Sequence, residues 1–141
     1  MELSKTSIIL GAGGQDGYYL SLALMKKNHK LILVSNSKKN LNHKLFLNNK
    51  NIKIINGKYL DYKFYENLIE LHKPDYFFFF YGLTSPKESE FKSKKYIEIN
   101  TKSFSFFLKA CKNKKYKNKI IYANSSEIFS SSKKLITEKT K

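Results

Sequence analysis

The segment Thr6–Gly17, TSIILGAGGQDG, decides the fold of this 141-residue chain. It begins with a short apolar run that predicts a buried strand, and an amphipathic helical pattern follows it. Between them, Gly11, Gly14 and Gly17 spell GxxGxxG, the spacing that brings a dinucleotide pyrophosphate against a helix N-terminus. We therefore interpret the segment as a cofactor-binding loop. The alternative is an ordinary glycine-rich connection between a strand and a helix.

Apolar runs and helical patterns alternate along the rest of the chain. Strands are predicted at Ser7–Leu10, Leu31–Ser35, Ile52–Ile55, Tyr76–Tyr81 and Lys119–Ala123. Helices are predicted at Asp16–Lys27, Asn40–Leu47, Tyr62–His72 and Ser89–Lys112. This order predicts an α/β fold, a doubly wound, Rossmann-like parallel sheet of about five strands. A ligand is expected beyond the carboxyl ends of the first, fourth and fifth strands.

Composition indicates a single globular domain over residues 1–141. Hydrophobic residues make up 41% of the chain, and no apolar run is long enough to cross a bilayer. The N-terminus lacks a signal-peptide pattern, and Cys111 is the only cysteine, so we expect a reducing, cytoplasmic setting. The three histidines have no ligand spacing, so no metal site is predicted.

The formal net charge of +16 raises the question of nucleic-acid binding. All 27 basic residues are lysines, and they are spread along the whole chain. Base readout and bidentate phosphate contacts favour arginine, so we expect no specific nucleic-acid partner. We expect no membrane partner either, because no apolar run is long enough to span a bilayer. Any binding to polyanions is expected to be weak and sensitive to salt.

The end of the second predicted strand bears on the choice of cofactor. An NAD site usually places an acidic residue there for the ribose diol, and the segment Val34–Lys39, VSNSKK, contains none. Ser37, Lys38 and Lys39 could instead meet a 2′-phosphate, which favours NADP over NAD. The alternative is that these lysines are ordinary solvated side chains.

Five segments together resemble the extended short-chain dehydrogenase/reductase family, which is also the NAD-dependent epimerase/dehydratase family. Within it, the sequence is most similar to the GDP-mannose 4,6-dehydratases. The segments are Gly11–Leu20 (GAGGQDGYYL), Gly57–Asp61 (GKYLD), Lys73–Asp75 (KPD), Asn100 and Asn124–Phe129 (NSSEIF). The resemblance therefore covers nearly the whole chain, but only the N-terminal part of the family's length.

The resemblance implies a lyase that uses NADP for internal redox and removes water from a nucleotide sugar, GDP-mannose. Ser125 matches the residue that polarises the sugar hydroxyl, and Glu127 matches the glutamate that serves the elimination. Residues implied in or near the cofactor site are Gly11, Gly14, Gln15, Asp16, Gly17, Ser37, Lys38, Asp61 and Tyr81. The family's complete enzymes also suggest homo-oligomers.

Departures from the family pattern keep other functions open. Lys58 replaces an aspartate near the adenine, Tyr81 and Gly82 stand at an Ala-Ala pair, and Ser130 replaces a glycine. The family's Tyr-x-x-x-Lys helix comes after the fifth strand, beyond the residues given. We therefore expect an N-terminal fragment without a second domain, inactive alone. The alternatives are another nucleotide-sugar epimerase, dehydratase or reductase, which would not need Glu127, and a non-catalytic Rossmann module that binds a nucleotide or a partner.

Overall fold

The chain folds around one parallel sheet with the strand order β3-β2-β1-β4-β5. The computed structural model describes residues 4–36, 41, 44–83, 93–124 and 137. The strands are β1 (Thr6–Leu10), β2 (Lys30–Ser35), β3 (Ile52–Asn56), β4 (Tyr76–Phe79) and β5 (Lys119–Tyr122). All four strand pairings are parallel, and the order reverses direction beside β1. The predicted doubly wound, Rossmann-like fold is therefore confirmed.

Helices cover both faces of this sheet. They are α1 (Gln15–Lys26), α2 (Lys44–Leu47), α3 (Tyr62–His72), α4 (Ser93–Ile97) and α5 (Ser103–Asn113), with a π-helical turn, Glu98–Lys102, between α4 and α5. No helix in the described part of the chain is long and apolar enough to cross a membrane.

The core consists of two clusters because successive strand side chains point to opposite faces. Ile8 and Leu10 of β1 pack with α3 and α5 on one face, and Ile9 packs with α1 on the other. Each of these β1 side chains is fully buried. The central strands are therefore apolar without alternation, as expected for a sheet covered on both faces.

The structure changes several predicted boundaries. β4 ends at Phe79, two residues before the predicted end at Tyr81. The neighbouring strand β1 ends at Leu10, and its backbone turns at Gly11, which has a φ of 90°. The predicted helix Ser89–Lys112 contains the π-helical turn, and its first four residues lie outside the described part. Of the predicted helix Asn40–Leu47, Lys44–Leu47 is helical. Helix α3 has the predicted bounds.

Candidate functional site

A cleft of about 580 Å³ opens at the carboxyl edge of the sheet, where the glycine loop faces the segment that follows β4. Its lining residues are Gly11, Gly14, Gln15, Asp16, Gly17, Phe80, Tyr81, Gly82, Leu83, Asn100, Tyr122, Ala123 and Asn124. This cleft lies at the point where the strand order reverses, the usual place of a ligand in a doubly wound sheet. We call it the glycine-loop cleft.

Two glycines of the loop are required by the fold itself. Gly11 has a φ of +90°, and a Cβ there would lie 2.7 Å from the carbonyl carbon of Phe80. A Cβ on Gly17 would lie 2.5 Å from the carbonyl oxygen of Gly11. Such contacts cannot form without moving backbone atoms. These two positions therefore hold β1, β4 and α1 close together, as the motif predicts for its first and third glycines.

Gly14 differs from both, because nothing in the fold requires a glycine there. It has an ordinary extended backbone, with a φ of −77° and a ψ of 168°. A Cβ would be 3.4 Å from the Gly11 carbonyl oxygen, an ordinary contact distance. Gly14 is also the N-cap of α1, and no side chain caps this helix end. The bare backbone therefore leaves the first turn of α1 open to the cleft.

A second cavity, of about 420 Å³, lies beside the first on the β2 and β3 side. We call it the lateral cavity; it is lined by Asn36, Lys58, Tyr59, Leu60, Asp61, Tyr81 and Ile99. The Asp61 carboxylate also accepts a hydrogen bond of 2.9 Å from the Lys63 amide and thereby caps α3. The resemblance to the dehydrogenase/reductase family pointed to this residue for cofactor binding, and the structure adds a structural role.

Tyr59 lines the lateral cavity and contacts the glycine loop from below. Its buried hydroxyl donates to the Val34 carbonyl oxygen at 3.0 Å and accepts from the Gly11 amide at 3.2 Å. Burial raises the pKa of the Tyr59 phenol, so this group stays protonated as a donor at neutral pH. The ring of Tyr81 stacks on it, with centroids 3.3 Å apart and planes at 11°.

Asn100 braces the segment that follows β4. Its side-chain amide donates to the Leu83 carbonyl oxygen at 3.0 Å, and its side-chain oxygen accepts from the Leu83 amide at 2.8 Å. The residue belongs to the π-helical turn, a distortion often found at functional sites. This double hydrogen bond fixes one wall of the glycine-loop cleft.

The structure brings most of the sequence-predicted site residues to one edge of the sheet. Gly11, Gly14, Gln15, Asp16, Gly17 and Tyr81 line the glycine-loop cleft, and Asp61 lines the lateral cavity. Ser37, Lys38, Ser125 and Glu127 lie outside the described residues. Their roles stay predictions. Asn36 and Asn124, which immediately precede these two segments, line the lateral cavity and the glycine-loop cleft, respectively.

Sequence reasoning missed the roles of Tyr59 and Asn36. Tyr59 stands two residues after Gly57, and Asn36 follows the end of β2. Both therefore occupy the carboxyl edge of the sheet, where a ligand is expected, and this position alone could have marked them.

A parallel sheet with a glycine loop at its topological switch point defines a Rossmann-type nucleotide-binding domain. The family model described as the NAD dependent epimerase/dehydratase family matches residues 7–141. The chain therefore belongs to this family.

Solved epimerase structures share the fold. The UDP-glucose 4-epimerase from Bifidobacterium longum, solved in complex with NAD+ and UDP, is 26% identical with a TM-score of 0.82; the match covers 96% of this chain and 42% of that one. The UDP-Glc/GlcNAc 4-epimerase from Campylobacter jejuni is 20% identical with a TM-score of 0.85 and the same coverage of both chains. This chain thus spans about two fifths of the length of these structures. No curated protein matches the sequence.

Proposed function

We propose that this chain binds NADP and forms the cofactor-binding part of a nucleotide-sugar dehydratase of the GDP-mannose 4,6-dehydratase type. The observation that carries the cofactor proposal is the bare backbone at Gly14, the N-cap of α1. The fold has room for a Cβ atom there, and the absence of a side chain leaves the start of α1 open to the glycine-loop cleft. A phosphate group is stabilised at such a position by the free backbone N–H groups and the helix dipole.

The remaining lining suits an extended dinucleotide. The glycine-loop cleft and the lateral cavity together run along the carboxyl edge from β5 to β3. Aromatic and apolar side chains in the lateral cavity, such as Leu60 and Ile99, suit a base, and the glycine loop suits a pyrophosphate. When bound, NADP would supply a reversible hydride acceptor to the site.

The choice of NADP over NAD depends on charge at the end of β2. That strand ends at Ser35, and Asn36 follows at the wall of the lateral cavity, so the described residues directly after β2 offer no carboxylate for a ribose diol. Ser37 and Lys38 come next in the sequence and supply the hydroxyl and the positive charge that a 2′-phosphate favours.

The dehydratase activity is proposed from Ser125 and Glu127. Asn124 lines the glycine-loop cleft, and these two residues follow it closely in the chain. A serine hydroxyl can polarise the sugar hydroxyl that is oxidised, and a carboxylate can remove the proton whose loss leads to elimination of water. Ser126, where a related group of dehydratases has an aspartate, supports GDP-mannose as the nucleotide sugar.

A second candidate is a UDP-sugar 4-epimerase. It is favoured by the 26% identity to the Bifidobacterium longum enzyme, whose structure holds NAD+ and UDP. Epimerisation needs no group for the elimination, so Glu127 separates the two proposals.

Calorimetric titration of the chain with NADP and with NAD tests the cofactor proposal. We expect tighter binding of NADP, and we expect Gly14→Val to abolish binding while the variant stays folded. Equal or tighter binding of NAD would refute the preference for NADP, and no binding of either would refute the site. Leu71→Val, at an exposed position on α3, is the control and should bind normally.

A hybrid in which the C-terminal segment of a GDP-mannose 4,6-dehydratase follows Lys141 tests the activity. We expect turnover of GDP-mannose, and we expect Glu127→Gln to stop the loss of water more than it stops the first hydride transfer. Product analysis by nuclear magnetic resonance distinguishes a 6-deoxy-4-keto sugar from an epimer. A hybrid that only epimerises, or one unaffected by Glu127→Gln, would refute the dehydratase proposal.

A further inference from the structure

The side chain of Tyr81 lies at the boundary between the two cavities at the carboxyl edge. It lines both the glycine-loop cleft and the lateral cavity, and no other described residue lines both. A ligand that extends from one cavity into the other must therefore pass this ring.

The Tyr81 side chain crosses the end of β1. Its backbone amide lies against Gly11, since a Cβ on that glycine would be 2.8 Å from the Tyr81 nitrogen. From there the ring reaches Tyr59, which follows β3. The Tyr81 hydroxyl accepts a 3.5 Å hydrogen bond from the side-chain nitrogen (Nδ2) of Asn36, a residue that follows β2. In the order β3-β2-β1-β4-β5, the side chain thus connects the β4 side to the β2 side above β1.

The two partners of Tyr81 differ in how firmly they hold it. Tyr59 is fixed, because its hydroxyl bonds to Val34 and Gly11 and only 3% of the residue is exposed. The bond from Asn36 is at the long limit for a hydrogen bond. Tyr81 itself is only partly buried. The ring is therefore held by stacking on Tyr59 and by packing against the edge of the core, and only a long hydrogen bond holds its hydroxyl.

We propose that Tyr81 is a size-selective gate that divides the cofactor site, so that a dinucleotide binds only after this ring leaves Tyr59. This inference rests on the proposed cofactor function and deepens it. A ligand confined to one cavity does not need the gate to open. A dinucleotide does, and its apparent affinity is its intrinsic affinity multiplied by the fraction of molecules in which the ring is open.

The expected size of this effect follows from the stacking. A stacked aromatic pair of this kind favours the closed position by about threefold to tenfold. Removing the ring should lower the dissociation constant of the dinucleotide by the same factor. A side chain that only contacts the ligand would give the opposite result, since its removal weakens binding.

The test is a calorimetric titration of the full chain and its variants with NADP and with adenosine 5′-monophosphate. We expect Tyr81→Ala to bind NADP about threefold to tenfold more tightly than the unmodified chain. Its affinity for the monophosphate should not rise, because Tyr81 is only a wall of whichever cavity the smaller ligand occupies. Tyr81→Phe keeps the stack and loses only the Asn36 bond, so its gain should be about twofold or less. Tyr19→Ala, on the exposed side of α1, is the control and should change neither affinity.

Each outcome decides between the proposals. Weaker or unchanged NADP binding by Tyr81→Ala overturns the gate and leaves the cofactor function standing. An equal gain for the monophosphate also overturns the gate, because the ring would then obstruct one cavity only. Failure of both the unmodified chain and Tyr81→Ala to bind either ligand overturns the cofactor function itself. If Tyr81→Ala does not fold, Tyr81→Leu removes the stack at similar apolar volume, and the same outcomes apply.

Discussion

The two ends of the sheet carry cavities of nearly equal volume but of different chemistry. The glycine-loop cleft at the carboxyl end measures about 580 Å³, and a cavity at the amino end measures about 600 Å³. The amino-end cavity is lined by Ser4, Lys5, Leu24, Lys27, Asn28, His29, Tyr76 and Phe78. Volume alone therefore does not identify the ligand site, which a doubly wound sheet usually has at its carboxyl end.

Polar groups at the amino end bond to one another. A 2.8 Å hydrogen bond joins Ser7 Oγ to His29 Nδ1, and Ser4 Oγ donates to the Asn28 carbonyl oxygen at 2.8 Å. The Lys5 ammonium donates to the Tyr76 hydroxyl at 3.3 Å. At the carboxyl end, by contrast, Gly14 has no side chain and leaves the first turn of α1 open to the glycine-loop cleft. The first arrangement stabilises the fold, and the second suits a ligand.

The largest expected effect on the free energy of unfolding is at the carboxyl end, where the fold requires a glycine at position 17 but not at position 14. We expect Gly17→Ala to lower the free energy of unfolding by about 3 kcal/mol, because its Cβ would press on the backbone of Gly11. Gly14→Ala should cost less than about 1 kcal/mol, since its Cβ has room. Urea denaturation measures both. Equal costs for the two variants would contradict the distinction between the glycines.

Asp75→Ala tests the structural role of the amino end. The Asp75 carboxylate accepts a 2.7 Å hydrogen bond from the Thr6 amide and so ties β4 to the start of β1. We expect a loss of about 2 kcal/mol in unfolding free energy, with unchanged NADP affinity. Glu70→Ala, which removes an exposed ion pair with Lys114, is the control and should cost less than about 1 kcal/mol. A change in NADP affinity in Asp75→Ala would show that the two ends are coupled.

Tyr59→Phe measures how much the phenol beneath the glycine loop contributes. The variant loses the bond to the Val34 carbonyl oxygen, but that oxygen still accepts from the amides of Gly11 and Ala12. We therefore expect a cost of about 1 kcal/mol in urea denaturation. Tyr62→Phe, which loses a bond to Glu66 at the surface of α3, should cost less. A larger loss for Tyr62→Phe would argue against the supporting role of Tyr59.

The smallest effect is the pH dependence from His29. Burial, reinforced by the charge of Lys5, lowers the pKa of His29 below its ordinary value of about 6.5. The unfolded chain then takes up a proton more readily than the folded one, so stability should fall as the pH drops below about 6.5. Thermal melts between pH 7.5 and 5.5 should show a shallower decline in His29→Gln. An unchanged slope would exclude His29 as a contributor.

The fold was predictable because its signals are local and repeated. Apolar strands, the glycine spacing and the bounds of α3 follow from residues close together in the chain. The interior of the site was not predictable in the same way. Tyr59 and Tyr81 are 22 positions apart, and their stacking depends on how β3 and β4 are placed around β1. The π-helical turn was also missed, because Glu98–Lys102 has no sequence pattern distinct from that of a helix.

Gly57 lies under the ring of Tyr59, and a Cβ there would be 2.6 Å from the Tyr59 Cζ atom. Tyr59 in turn is the surface on which Tyr81 rests. In mechanical terms, Gly57, Tyr59 and Tyr81 form one stack in which each residue supports the next. A side chain at position 57 would displace the Tyr59 ring and would also meet Asn36, whose Oδ1 atom would lie 2.8 Å from the added Cβ. A single substitution at position 57 would therefore move the surface on which Tyr81 rests.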